Sequence, residues 1–190
     1  MKPIFSLTER EMERGGIGKV KQYPLSDDDL RRLLGSDIKI WRYPQIGDLT
    51  HIDQLFDDKG RAIILFPNVS PTAGHWTALI RRPKGIEFFD PYGDAPDTDQ
   101  RDGLTKTRLE QLDMDQPYLT RLLRASGLPV FYNNFAFQKD KASVATCGRH
   151  AAVRLLYAPF SLDRYKAIID SSGLSPDDFV SGITYDKLRK

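Results

Sequence analysis

Three closely spaced apolar runs leave this chain few ways to fold. Ala62 to Phe66 (AIILF) is continuously apolar and reads as a central strand. His75 to Ile80 (HWTALI) is a second strand and Ile86 to Phe89 (IEFF) a third. The RRPKG between the last two, Arg81 to Gly85, is a turn. Antiparallel strands joined by so short a turn set the start of the first beside the end of the second. His75 opens one strand and Asp90 closes the other, so the hairpin by itself predicts that these two side chains meet.

Around these strands the pattern is mostly helical. Ser26, followed by Asp27, Asp28 and Asp29, marks a helix start, with Leu30, Leu33 and Leu34 on its apolar face and Gly35 at its end. Ile38, Ile40 and Trp41 read as a short strand, and Asp48 as the cap of a helix that turns Ile52, Leu55 and Phe56 inward. Residues 91–107, rich in Asp, Gly, Thr and Pro, read as an exposed loop in which Asp94, Asp97 and Asp99 are solvated. Tyr118, Leu119, Leu122 and Leu123 make a helix closed by Gly127, and Val130 to Tyr132 a further strand. Two more helices start at Ser161 and Ser175. Residues 1–24, with Gly15, Gly16 and Gly18, read as a loosely held N-terminal arm carrying a short helix at Leu7 to Arg14. With no internal repeat and no dividing linker, the expectation is one α+β domain over residues 1–190.

A single cysteine among 190 residues excludes an internal disulfide framework and a multi-cysteine zinc site, and fits a reducing compartment or a virion assembled in one. No cluster of His, Cys or acid has metal-ligand spacing, so neither metal nor cofactor is expected. The first residues lack an apolar signal core, and AIILF is far too short to span a bilayer. A net charge of +2 does not announce a nucleic-acid binder. A monomer without a membrane partner is expected.

That cysteine, Cys147, lies in QKDKASVATCGRHAAVRLLY. After it Ala151, Ala152, Leu155 and Leu156 form one apolar helical face. Thr146 or Ser143 is placed to cap this helix, with Cys147 at its N-terminus. Unpaired N–H groups and the helix dipole favour an anion there, and thiolate is the nucleophilic form of cysteine. The competing reading is a small buried hydrophobe. A cysteine nucleophile needs a base and a group that orients the base. Of the three histidines, His51 reads as a surface residue, and His150, on the cysteine helix, as a packing or surface contact. His75 is the candidate base and Asp90 its orienting acid. The Cys147 backbone N–H and the Gln138 amide are candidate oxyanion donors, although a loop glutamine also commonly bonds to backbone. Arg149 and Arg154 read as a solvated helix face.

The ordered set of HW at His75–Trp76, FDPYG at Phe89 to Gly93, Gln138, and CG at Cys147–Gly148 resembles the adenovirus protease (adenain) family, within the clan of ubiquitin-like-protein, or SUMO, proteases. The resemblance covers roughly residues 60–158, and SPDDFVSGIT near the C-terminus is similar to tails of maturation proteases in virophages and related large DNA viruses. It implies a papain-like cysteine protease fold of the adenain type: a central, mainly antiparallel sheet packed against the helix that carries the nucleophile. It also implies His75 as general base, Asp90 as orienting acid, Cys147 as nucleophile and Gln138 as oxyanion donor, with Trp76 and Gly148 at the substrate. The sequence departs from the family in having Asp for Glu at position 90, a Gln-to-Cys spacing of nine, and Thr before the Cys-Gly pair. The longer spacing leaves Asn133 or Asn134 open as substitutes for Gln138. Without a second cysteine, activation by a disulfide-linked peptide is not available; activation by DNA stays open.

The implied function is a viral maturation endopeptidase that cuts capsid or core precursors at Gly-containing sites, in the virion and in the host-cell cytoplasm or viral factory. The chain's own Gly15–Gly16 is then a candidate self-trimming site. Alternatives are an isopeptidase acting on the Gly-Gly tail of ubiquitin or SUMO, an acetyltransferase using the same triad, and a non-enzymatic protein in which Cys147, His75 and Asp90 only pack.

Overall fold

The computed structural model describes residues 20–98, 104–139 and 145–188. The short helix at Leu7 to Arg14, the Gly15–Gly16 pair, Asp99 and Ser143 lie outside the described residues. The chain divides into two compact units, Asp37–Ala136, and Met1–Ser36 with Phe137–Lys190.

The first unit is built on a five-stranded sheet in the order β1 (Lys39–Arg42), β2 (Arg61–Ser70), β3 (Ala73–Arg82), β4 (Gly85–Phe89) and β5 (Val130–Tyr132). β2, β3 and β4 pair antiparallel, while the edge strands β1 and β5 pair parallel to β2 and β4. β2 and β3 outrun the apolar stretches that signalled them. Their ladder runs from Arg61↔Ile80 past Pro67↔Gly74 to Ser70↔Ala73, because a hairpin goes on pairing backbone after burial has ended. Ala62, Ile64 and Phe66 of β2 join Leu79, Ile86 and Phe88 in one core face. Ile63 and Leu65, on the opposite face, are buried too, as the unbroken run of AIILF requires. Each such side chain contributes about 1.5–3 kcal/mol when fully buried.

Two short helices flank the sheet, α2 (Lys106–Gln111) and α3 (Tyr118–Ala125), and the latter buries Leu119, Leu122 and Leu123 as its spacing predicts. α2 starts within the stretch read as loop, capped by the Thr105 hydroxyl accepting from the Arg108 N–H. The helix expected after Asp48 is replaced by a 3-10 turn, Ile52–Leu55, and another 3-10 turn, Tyr43–Asp48, precedes it. Asp48 ends the first turn rather than capping a helix. A four-residue turn suffices to bury Ile52 and Leu55, because positions three apart share a face at three residues per turn. Asp97 is not simply solvated. Its carboxylate accepts from the Tyr43 hydroxyl at 2.7 Å and from the Thr120 N–H at 2.7 Å, which satisfies a first-turn donor of α3 where Pro117 offers no side-chain cap.

The second unit is helical: α1 (Asp27–Leu34), α4 (Cys147–Leu156), α5 (Leu162–Ser171) and α6 (Pro176–Leu188). Ser26 and Asp29 form a reciprocal capping box on α1, and Gly35 closes it. Ser161 caps α5 and Ser175 accepts from the Asp178 N–H at the start of α6. α4 packs against α1 and α6 and is buried from Gly148 through Leu155. Arg149 and Arg154 therefore do not form a solvated face: they are 2% and 0% exposed. Arg154 donates to the carbonyls of Tyr157 (2.8 Å) and Phe160 (2.9 Å), satisfying acceptors left over where α4 ends, and its guanidinium lies 5.1 Å from the Tyr165 ring centroid. Arg149 donates to Thr184 Oγ1 at 2.6 Å and to the Tyr23 carbonyl at 3.3 Å; burial pulls its pKa down to about 10.

Candidate active site

On the sheet, the register Ala78↔Phe89 places the residue after β4 level with the first half of β3. There His75 Nε2 lies 3.0 Å from Asp90 Oδ1. Gly74, just before the histidine, faces Pro67 in the ladder. A Cβ on it would stand 1.9 Å from the Phe66 carbonyl oxygen, so glycine is needed for the strands to approach this closely.

Asp90 is fully buried and held from several sides. The Tyr92 N–H donates to its Oδ1 at 2.7 Å, and the Gly93 N–H donates to its carbonyl at 3.0 Å, closing the DPYG turn read from the sequence. Asn133, just beyond β5, accepts the Asp90 N–H on Oδ1 at 3.1 Å. Its Nδ2 donates to the Asp90 carbonyl at 2.5 Å and to that of Phe135 at 3.0 Å. The Tyr92 ring stacks on the imidazole at a centroid distance of 4.9 Å, which fixes the plane of His75. Tyr92 is thus a part of the site that residue type did not reveal, although its place two residues after the acid in the turn motif could have.

The Asn133 amide is spent on the backbone of Asp90 and Phe135 and is fully buried. Asn134 is exposed. Trp76 is 5% exposed, with the Arg42 guanidinium 5.8 Å from its ring centroid. His51 is an exposed residue at the start of a 3-10 turn.

In the helical unit, Cys147 is the first residue of α4, half-buried and in no disulfide, followed by the buried Gly148. Gln138 is 3% exposed. Thr146 occupies the N-cap position, yet its side chain makes no cap bond. Its hydroxyl donates to Asp177 Oδ1 at 2.6 Å, and the same oxygen lies 3.0 Å from His150 Nε2. Asp177 Oδ2 accepts from the Lys139 N–H at 3.3 Å. His150 is thus a fully buried residue in a polar network, and Asp177, 31 positions from Thr146, carries no local signal in the sequence that would join it to that network. Among the described residues, no group of three or more His, Cys, Asp or Glu is placed to hold a metal ion, and no helix is long and apolar enough to cross a membrane.

Fold and site together define an α+β protein whose five-stranded sheet carries a buried, clamped acid against a histidine, and whose helical unit carries a cysteine at a helix start. The chain belongs to the family of the uncharacterized protein V9 of the Sputnik virophage, with which it is 32% identical over 165 residues, covering 84% of this chain and 93% of that one. No known family profile matches it. Among solved structures it is similar to the central domain of the uncharacterized Lpg1148 protein of Legionella pneumophila (18% identity, TM-score 0.44, 87% of this chain and 97% of that one). It is also similar to the SUMO protease Ulp1 with an oxidized catalytic cysteine (15%, TM-score 0.39, 99% and 88%), and to the Ulp1 protease domain in complex with Smt3 (15%, TM-score 0.37, 89% and 80%). These are distant likenesses of fold.

Proposed function

We propose that this chain is a cysteine protease, one domain over its 190 residues, that cuts viral capsid or core precursors at Gly-containing sites during virion maturation. The observation that carries the reading is the His75–Asp90 pair at 3.0 Å, clamped at the end of a hairpin, in a chain whose one cysteine opens a helix. The virophage relative favours a viral substrate and action in the virion and viral factory.

In this reading Asp90 accepts the Nε2–H of His75, which leaves Nδ1 to take the thiol proton of Cys147. The thiolate adds to the scissile carbonyl carbon. The Cys147 N–H and the Gln138 amide stabilise the oxyanion, each worth about 3–4 kcal/mol of barrier. His75 returns its proton to the leaving amine as the C–N bond breaks, and water then cleaves the thioester, restoring the thiol. Trp76 and Gly148 flank the substrate.

The test is cleavage of a virophage capsid or core precursor with Gly-containing junctions beside a ubiquitin-like modifier fused through its Gly-Gly tail, each with and without DNA. Precursor cleavage by the wild type, absent in Cys147→Ala and reduced about 10⁴-fold in Asp90→Asn, is expected. Cleavage of the modifier alone would assign an isopeptidase. No cleavage of either, with Cys147 inert to iodoacetamide, would overturn the reading.

A further inference from the structure

Thr146 is an N-cap threonine that does not cap. A side-chain cap is worth about 1 kcal/mol to a helix, yet the hydroxyl is turned to Asp177 instead. The carboxylate that receives it is 4% exposed and gathers three donors from two stretches of chain: Thr146, directly before the cysteine, His150 in the first turn of α4, and the backbone N–H of Lys139, next to Gln138. Lys139 and Thr146 stand seven positions apart, so one carboxylate ties both ends of that span to the start of α6.

We propose that Asp177 is a positioning residue for the nucleophile: through Thr146, His150 and Lys139 it holds the start of the Cys147 helix in register with the backbone that carries Gln138. The role rests on the protease reading above, in which Cys147 and Gln138 must face one carbonyl group.

The bonding pattern is of the kind such a clamp requires. Burial by itself raises the Asp177 pKa; the bonds from His150 and Thr146 outweigh burial and hold it below the ordinary 3.8. The carboxylate is therefore ionised at neutral pH and acts only as an acceptor, so the His150 Nε2 facing it carries the proton. His150, on the nucleophile's own helix, serves as a fixed donor to the clamp, its ring 6.4 Å from that of Phe137 and fully buried. A second tie reinforces the same place. The Ala145 N–H donates to the Lys21 carbonyl at 2.7 Å, and the Lys21 ammonium pairs with Asp178, the neighbour of Asp177, at 2.8 Å. Catalytic geometry is sensitive at this scale: a 1 Å misplacement of reacting groups costs about a hundredfold in rate.

The experiment compares Thr146→Val, which removes the hydroxyl at nearly constant volume, with Thr146→Ser, which keeps it. The readouts are kcat and KM on a fluorogenic peptide ending in Gly-Gly, the rate of Cys147 alkylation by iodoacetamide, and the melting temperature. Expected is a fall in kcat of about ten- to a hundredfold in Thr146→Val at unchanged KM, with Thr146→Ser close to wild type. Wild-type kcat in Thr146→Val, or an equal loss in Thr146→Ser, would overturn the proposal in favour of simple packing. Should Thr146→Val fail to fold, Asp177→Asn, which sets an N–H donor where the carboxylate accepts, is judged by the same kinetic criterion. If the wild-type protein hydrolyses no peptide, the protease reading fails on its own. The alkylation rate then decides: a change of about tenfold in Thr146→Val that Thr146→Ser restores supports the clamp, and equal rates refute it.

Discussion

Asn133 grips Asp90 by both of its backbone polar groups, accepting the N–H at 3.1 Å and donating to the carbonyl at 2.5 Å. One side chain from beyond an edge strand thereby does what a further rung of ladder would do, at the point where β4 has ended and the acid must be held facing His75.

Asn133→Ala removes the bond to the buried Asp90 N–H, at a cost of about 1–3 kcal/mol, and one of the two bonds to the Asp90 carbonyl, which keeps the Gly93 N–H. The melting temperature is expected to fall by several degrees, since 1 kcal/mol moves a chain of this size by about 2–4 °C, and kcat is expected to fall with it. An unchanged melting curve would mean that other groups take over these bonds.

Gly93 has φ +92°, and a Cβ there would stand 2.6 Å from the Phe135 carbonyl carbon. Gly127 has φ +64° with nothing within 4 Å of a built Cβ. Alanine at Gly127 therefore meets only backbone strain, about 1–2 kcal/mol, whereas alanine at Gly93 must also displace a backbone segment that Asn133 anchors. Urea denaturation of the two variants is expected to show the larger loss at Gly93; the reverse order would mean that the 91–93 turn relaxes without resistance.

Arg154→Lys keeps the charge and loses the fork. A single ammonium does not reproduce the planar, two-nitrogen geometry that reaches both the Tyr157 and the Phe160 carbonyls. A loss of about 1–3 kcal/mol is expected by urea denaturation at an unchanged slope. Were Arg154 on a solvated face, the same exchange would be close to silent.

Asp178 has its pKa raised by burial, but bonds from Lys21 and Ser175 pull harder and leave it below 3.8. A carboxyl whose folded pKa is depressed contributes stability that is fully present above its unfolded value. That stability drains away as pH falls through the folded one. The melting temperature is thus expected to decline once pH drops below about 3.8, with Asp177 drawing on the same window. In Asp178→Asn the acid limb is expected to be shallower; an identical limb would assign the acid sensitivity to other carboxyls.

The sequence by itself determined the elements whose signals are local. AIILF, HWTALI and IEFF specified the antiparallel centre of the sheet, because a continuous apolar run needs cover on both faces and RRPKG allows only a tight return. That return brought His75 to Asp90 with no further information. Ser26 and Ser161 announced their helices because a cap bond spans only three residues. The 3-10 turns at Tyr43–Asp48 and Ile52–Leu55 escaped because positions three apart fit an α-helix equally well. Only the tertiary structure decided the rest. Asn133 meets Asp90 across 43 positions, Asp177 meets His150 across 27, and Asp97 reaches Thr120 across 23. Arg149 and Arg154 look like a charged surface until α1, α5 and α6 close around their helix and leave Thr184 and a set of carbonyls as the acceptors within reach. A polar side chain carries no mark of its burial. It is buried when distant segments bring it the donors or acceptors that offset the loss of water, and that supply is set by packing rather than by neighbours in the chain.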